Sequence, residues 1–266
     1  MEPEGPPVVA RDAATVILAR DAAGGAEVLL LERHGRSRMA PGAFAFPGGR
    51  VEADDSAPDW ERLCRGLTAA EAARVLPDVP PSQAIGFWTA AIREVFEETG
   101  LLLAYDRAGA PFASRTLAST PIAEYRARCR DDSRAFRALV AGEGLALATD
   151  RMAYWAHWIT PEERPVRYDT RFFVAAAPPG GTPEPDGIEV VGARWLTAAA
   201  ALAQHRAGAL TLPAVTQEIL GSIRPYPTAT ALVAAAAARE IRPIRPRIVL
   251  ADGQERILLP GDPGWF

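Results

Sequence analysis

The 266-residue chain contains no lysine, and all 29 of its basic residues are arginine. That absence excludes Schiff-base chemistry and a P-loop lysine, and it leaves phosphate recognition to arginine forks, backbone amides or metal ions. Cysteine is almost as scarce: Cys64 and Cys129 allow at most one bridge and offer no metal-ligand spacing. No apolar run approaches the roughly 20 residues that span a bilayer. The longest bland stretch, Ala231 to Ala238, is mostly alanine. The opening MEPEGPPVVARD is acidic and proline-rich, without the basic and apolar regions of a signal peptide, and the closing PGWF is no retention or lipidation signal. A broad basic footprint is missing too, since the net charge is -4. The expectation is a soluble, reduced, cytoplasmic protein with neither nucleic acid nor membrane among its partners.

What is present suits a globular enzyme. Hydrophobic residues make up 48% and charged residues 23%, with six Trp, which fits one large domain or a domain with a helical appendage. Ala13 to Ala19 predicts a strand, DAAGGA a turn, and Glu27 to Arg33 its hairpin partner. The glycine- and proline-rich HGRSRMAPGAFAFPGGRVE predicts a loop, a short strand at Ala43 to Phe46 and a tight glycine turn. Residues 56–81 read as a helical insertion, with Asp59 capping one short helix and a Thr68–Glu71 capping box opening another. Ser82 is the expected cap of a long helix through Ile85, Trp88, Ile92, Val95 and Phe96, stopped by Gly100.

Ile122 to Val140 is helical in pattern and rich in arginine. Strands are expected at 152–159, 170–176 and 187–196, then helices at 198–206, 213–223 and 228–240, the first opened by Thr197. A hairpin of PRIVL and ERILL about Ala251-Asp252-Gly253 ends the chain. The fold class is α+β, with helices on both sides of mixed strands.

The chemistry is concentrated in Arg93-Glu94-Val95-Phe96-Glu97-Glu98-Thr99-Gly100-Leu101. On a helix Glu94, Glu97 and Glu98 stand at i, i+3 and i+4, so the carboxylates share one face. Clustered anions repel, and each resists ionisation unless a cation is present. A hard divalent metal with oxygen ligands gives a reason to gather them, and magnesium bridges carboxylates to phosphates. A solvated acidic face is the plainer alternative.

With the upstream Gly-Gly turn, this run resembles the Nudix hydrolases, whose box reads G-x5-E-x7-R-E-U-x-E-E-x-G-U with U aliphatic. Gly49 opens it and Arg93 to Leu101 complete it. Asp55 stands where the family has Glu, and residues 56–92 stretch the usual x7. An insertion at this place, with the MAPGAFAFPGG, AIREVFEETGLLL and WITPEERPVRYDTRFFVAAAP segments, is similar to the peroxisomal coenzyme A diphosphatases of animals and their bacterial relatives. A second pattern of that subgroup, L-L-T-x-R-[SA]-x3-R-x3-G-x3-F-P-G-G, is met by Arg33, Arg38, Gly42 and Phe46 to Gly49. It is not met at Glu32 or His34.

The resemblance implies a Nudix α/β/α sandwich with a mixed sheet over residues 10–225. It carries the 56–81 insertion inside the box and a helical and hairpin extension at 226–266 packed on it. It implies Mg²⁺ or Mn²⁺ held by Glu94, Glu97, Glu98 and the backbone carbonyl of Gly48, with Arg93 orienting the carboxylates. Asp55, one step further from the metal, is expected to matter less for turnover. Glu189 is the expected additional carboxylate, against Glu162 or Glu163. Arg33, Arg38, Phe46 and Gly49 are the expected substrate contacts, the two arginines on a phosphate or else merely on the surface.

The implied reaction is hydrolysis of a diphosphate linkage, coenzyme A giving 3′,5′-ADP and 4′-phosphopantetheine. The alternatives are another substrate (NADH, ADP-ribose or a nucleotide sugar) and a non-catalytic nucleotide-binding module. The expected partner is the small-molecule substrate, with room for a homodimer. The insertion is expected to form a folded flap beside the site. His34 and His157 are expected to be ordinary surface or packing residues. Arg167, Asp169 and Arg171 alternate on one strand, facing substrate or making cross-strand ion pairs.

Overall fold

The computed structural model describes residues 8–37, 39–113, 122–251 and 254–265. Strands β1 (Arg11–Ala22) and β2 (Gly25–Arg33) form the first hairpin. Their pairing runs only from Ala22–Gly25 to Ala19–Val28, and beyond it the two strands part. On the far side of the split β1 pairs parallel with β8 (Tyr168–Ala176) and antiparallel with β4 (Gly48–Arg50). In turn β2 pairs with β9 (Val190–Thr197) and β3 (Phe44–Ala45). The expected tight glycine turn is therefore a short strand, since Gly48 to Arg50 continue onto β1. Outside β8 lie β7 (Met152–Ile159) and then β10 (Pro243–Ile244). The described strands form a mixed sheet in the order β10-β7-β8-β1-β2-β3, with β4 and β9 branching from it.

Alternation along β1 separates the two faces of this sheet. Val16 and Leu18 enter one core, while Ile17 and Ala19 enter the other. The first core is covered by α1 (Trp60–Leu63), α2 (Ala69–Val75), α3 (Pro81–Ala84), α4 (Gly86–Thr99), α5 (Ile122–Asp131) and α6 (Arg134–Glu143). A small ladder of β5 (Ala104–Tyr105) and β6 (Ala146–Leu147) joins them. The second is covered by α7 (Ala198–Arg206), α8 (Ala214–Ile223) and α9 (Ala229–Ala236). Helices thus cover both faces of the sheet, which is the α/β/α sandwich. Among the described residues no helix is long and apolar enough to cross a membrane.

Local chemistry accounts for several helix ends. Thr68 and Glu71 form the expected capping box, Glu71 N donating to Thr68 Oγ1 at 3.2 Å and Thr68 N to Glu71 Oε2 at 2.8 Å. Thr197 and Thr228 cap α7 and α9 in the same way. Two expected caps are corrected. Asp59 makes no capping bond because its carboxylate is taken by Arg62 and Arg137. Ser82 lies inside α3, which starts at Pro81, a residue whose fixed φ suits a first helical position. The long helix starts only at Gly86. The arginine-rich helix also breaks, because Asp132 accepts the backbone N–H of Arg134 at 3.0 Å and turns the chain between α5 and α6.

The insertion is folded, and it packs inward against α6. Trp60 is fully buried, with its ring 5.7 Å from Phe136, which in turn lies 5.8 Å from Phe96 of α4. Trp60 Nε1 donates to the Asp54 carbonyl at 2.8 Å, and Arg137 of α6 forks onto the Asp54 carboxylate. Burying an indole is worth more than solvating the segment, so it packs inward beneath α6. We expect residues 56–81 to resist limited proteolysis while the domain is folded. Early nicking there with the remainder intact, mapped by mass spectrometry, would mean a loose spacer instead.

At the C-terminal end Ala229, Leu232 and Ala236 of α9 are buried in the second core, and Ala229 N donates to Asp21 at 2.7 Å. The last hairpin is β11 (Arg247–Ala251) with β12 (Gln254–Leu258). Its expected turn at Asp252-Gly253 lies outside the described residues.

Candidate active site

Helix α4 is amphipathic in an unusual sense: one face is apolar and the other is acidic yet shielded from water. Ile92, Val95 and Phe96 are fully buried in the first core and fix its rotation. Gly100, at φ 72°, adopts the left-handed conformation that ends the helix, its N–H returning to the Phe96 carbonyl at 2.8 Å. Glu94, Glu97 and Glu98 then line a cavity of about 610 Å³. The cavity opens where β1 and β2 separate. Ala13 and Thr15 of β1, Arg33 of β2, Tyr168 and Thr170 of β8 and Val190 of β9 form its walls, with Gly48 and Gly49.

Arg93 organises the acidic face from behind. It is 3% exposed, and its Nε and Nη2 each donate at 2.9 Å to one oxygen of the buried Asp55 carboxylate. Nη1 donates to Glu94 at 2.9 Å and to Glu97 at 3.2 Å, while Nη2 also reaches the Arg50 carbonyl at 2.8 Å. A bidentate guanidinium–carboxylate fork of this kind is among the stronger side-chain interactions. Asp55 further accepts Glu52 N at 2.8 Å. The shorter carboxylate at this place in the box therefore reaches its arginine.

The three glutamates are hard to ionise without a cation. Burial pushes Glu94 up to about 7, against the lowering effect of Arg93. Glu97 is raised in the same way by burial, again opposed by Arg93. Glu98, raised well above the usual carboxylate range by burial and then by Glu94, has Gly48 N as a donor at 3.0 Å. Mutual repulsion was the expected cause; desolvation is the larger one.

The glycines explain how β4 comes so close to α4 and β1. A Cβ on Gly49 would lie 2.5 Å from the Glu94 carboxylate, and one on Gly48 would lie 2.4 Å from the Ala14 carbonyl oxygen.

Buried oxygen donors short of positive charge suit a hard divalent cation. Among the described residues no three His, Cys, Asp or Glu side chains already converge into a metal cage.

The other expected residues divide clearly. Glu189 lines the cavity and adds repulsion on all three glutamates, whereas Glu162 and Glu163 are not among the lining residues. Arg33 lines it too, its guanidinium within reach of Ser37 Oγ at 3.1 Å. Arg38 lies outside the described residues. Phe46 is a correction: it is buried in the second core and lines no part of the cavity, because the chain crosses there from β2 to β1 and turns the ring under the sheet.

His157 is more than packing, since it pairs with Asp169, which also pairs with Arg171. Arg171 reaches Asp78 of the insertion and stacks over Phe87, while Arg167 donates to the Thr160 and Val8 carbonyls. These strand residues make ion pairs and backbone contacts and do not line the cavity. His34 does not line it either.

Sequence reasoning missed the wall made by Cys129, Arg130, Asp131, Asp132 and Ser133. The Asp-Asp-Ser run was its signal, as a stop and restart between two helices.

Residues 68–217 match the family described as NUDT19 Nudix domain. Over 206 residues the chain is 32% identical to the acyl-coenzyme A diphosphatase NUDT19 of Gallus gallus, an alignment covering 62% of this chain and 54% of that protein. For the Homo sapiens protein of the same name the identity is 32% over 201 residues, covering 65% of this chain and 54% of that protein. The matched region thus spans about half the length of these curated relatives. A crystal structure of a Nudix hydrolase from Alicyclobacillus acidocaldarius is similar at a TM-score of 0.70 and 26% identity, over 85% of this chain and 96% of that chain.

Proposed function

Because this chain belongs to the Nudix family, we propose that it is a divalent-metal-dependent hydrolase that cleaves the diphosphate of coenzyme A or its acyl derivatives. The observation that carries this reading is the acidic face of α4, three glutamates turned into one cavity, two of them braced by an Arg93 that Asp55 holds. Glu94, Glu97 and Glu98 would hold Mg²⁺ or Mn²⁺, with the backbone carbonyl of Gly48. Bound there, the ion would neutralise diphosphate charge and lower the pKa of the attacking water. Arg93 holds Glu94 and Glu97 in place, so that little reorganisation is left for the transition state. Glu189, which lines the same cavity, would accept the proton of the attacking water. Water adds across the P–O–P bridge: coenzyme A yields 3′,5′-ADP and 4′-phosphopantetheine, and an acyl-coenzyme A yields 3′,5′-ADP and the S-acylated 4′-phosphopantetheine.

The coenzyme A assignment draws support from the activity for which those relatives are named and from Arg33 on the cavity wall. The deciding experiment is a mass-spectrometric screen of the purified protein with Mg²⁺ against coenzyme A, acyl-coenzyme A, NADH, ADP-ribose and nucleotide sugars. Cleavage of one of the latter with coenzyme A left intact would reassign the substrate, and no cleavage at all would leave a binding module. If Arg33 and Arg38 hold the 3′-phosphate, coenzyme A is hydrolysed faster than dephospho-coenzyme A. Arg33→Ala then narrows that preference about tenfold or more, since a charge-assisted contact contributes about 1.5 to 3 kcal/mol. Equal kcat/KM for both compounds in the unmutated protein removes the basis for the phosphate contact.

A further inference from the structure

Glu189 sits on an exposed turn between a proline- and glycine-rich connection and β9, an unpromising place for a group that must hold its position. Asp186 supplies what the turn itself lacks. Its Oδ1 accepts the backbone N–H groups of Ile188, Glu189 and Val190 at 2.9, 3.0 and 3.0 Å, and Glu189 and Val190 both line the cavity. Its Oδ2 accepts Arg130 Nη1 at 3.1 Å, and Arg130 belongs to the cavity wall across from that turn. The Asp186 side chain is only 7% exposed, although Ile188 and Glu189, whose N–H groups it accepts, face solvent.

The same segment is tied to the helix that carries the glutamates. Glu184 N donates to the Thr99 carbonyl at 2.8 Å, and Arg126, one turn before Arg130, donates from Nε to the Glu97 carbonyl at 2.9 Å. The Glu189 carbonyl accepts His34 N at 2.8 Å, which fastens the turn to the end of β2 as well.

We propose that Asp186 is a positioning residue. One carboxylate fixes the backbone that presents Glu189 to the carboxylate cavity, and Arg130 locks that carboxylate against α5. This rests on the diphosphatase reading for its kinetic consequence but not for its structural one. Removing the acceptor frees the turn, and a displacement of about 1 Å at a reacting group can cost about a hundredfold in rate.

The test combines Asp186→Ala, Asp186→Asn and Glu189→Gln, assayed with Mg²⁺ on coenzyme A or on whichever compound the screen shows to be cleaved. Amide hydrogen exchange at residues 188–190 is measured in parallel. Asp186→Ala should lower kcat about tenfold to a hundredfold with KM little changed, and should lose protection at those amides. Asp186→Asn keeps the Oδ1 acceptor for the three backbone N–H groups but turns its NH₂ towards Arg130 Nη1, and should recover only part of the lost rate. In the Glu189→Gln background Asp186→Ala should cost almost nothing more, because the group it positions is already disabled. A merely structural role would instead lower both backgrounds by the same factor, and that result overturns the proposal. So does unchanged exchange in Asp186→Ala, or a Glu189→Gln protein that turns over at the unmutated rate. If the unmutated protein cleaves nothing, the diphosphatase reading fails by itself, and the exchange result alone decides whether Asp186 holds the turn.

Discussion

Glu98→Gln should turn over about a thousandfold more slowly than the unmutated protein at saturating Mg²⁺, while melting no lower than it in EDTA. Gln preserves size and helix propensity, and its carbonyl can still accept the Gly48 N–H. What it removes is a charge that the fold finds costly: Glu98 is 7% exposed, and burial pushes its pKa well above the usual range. A native state that keeps a proton where the unfolded chain releases it is most favoured at low pH, below the ordinary carboxylate pKa. That contribution is lost as pH rises through the raised native value. For Glu94 the window runs from about 4.5 to about 7.

In EDTA the melting temperature is therefore expected to fall as pH is raised through this window. The fall should be shallower in Glu98→Gln and largely abolished by Mg²⁺ in the unmutated protein, because a bound cation restores the charged form. The readouts are kcat on coenzyme A and melts at several pH values with and without metal. An unmutated rate for Glu98→Gln would falsify the metal assignment and leave the acidic face as a solvated surface.

Asp55→Asn should produce the largest loss of stability, about 3 to 5 kcal/mol, which lowers the melting temperature by about 10 °C for a chain of this size. Arg93 and Asp55 are 3% and 1% exposed, so their pairing takes place almost without water. With Asn, the amide NH₂ faces a guanidinium N–H, one fork tine has no acceptor, and the arginine keeps its charge in the core. Glu94 and Glu97 remain as partners of Arg93, which limits the damage but draws them away from the cavity. Turnover should drop as well, though less than in Glu98→Gln, because Asp55 only braces the carboxylates. The distinguishing measurement is chemical denaturation in EDTA. An unchanged midpoint would mean that Arg93 is held by its other contacts.

Much of the site could be read from the chain alone, because its parts are local. The spacing of Glu94, Glu97 and Glu98 depends only on helical periodicity, and the apolar Ile92, Val95 and Phe96 say which way the helix must turn. The β1–β2 hairpin, the Thr68–Glu71 box and the Gly100 stop likewise depend on residues within a few positions of one another. Other features had no local signature. Asp55 meets Arg93 across the whole insertion, and only the burial of Trp60 against Phe136 explains why that insertion folds inward.

Its place in a motif points Phe46 at the substrate, yet the crossing from β2 to β1 carries it into the second core. The cavity exists because β1 and β2 stop pairing after Ala19 and Val28 and take different neighbours from distant parts of the chain. Short-range hydrogen bonding and side-chain periodicity determined the elements and the acidic face. Which strands pair, which face of each aromatic is covered and how far desolvation raises a carboxylate depend on contacts between residues far apart in sequence, and those only the packed structure decided.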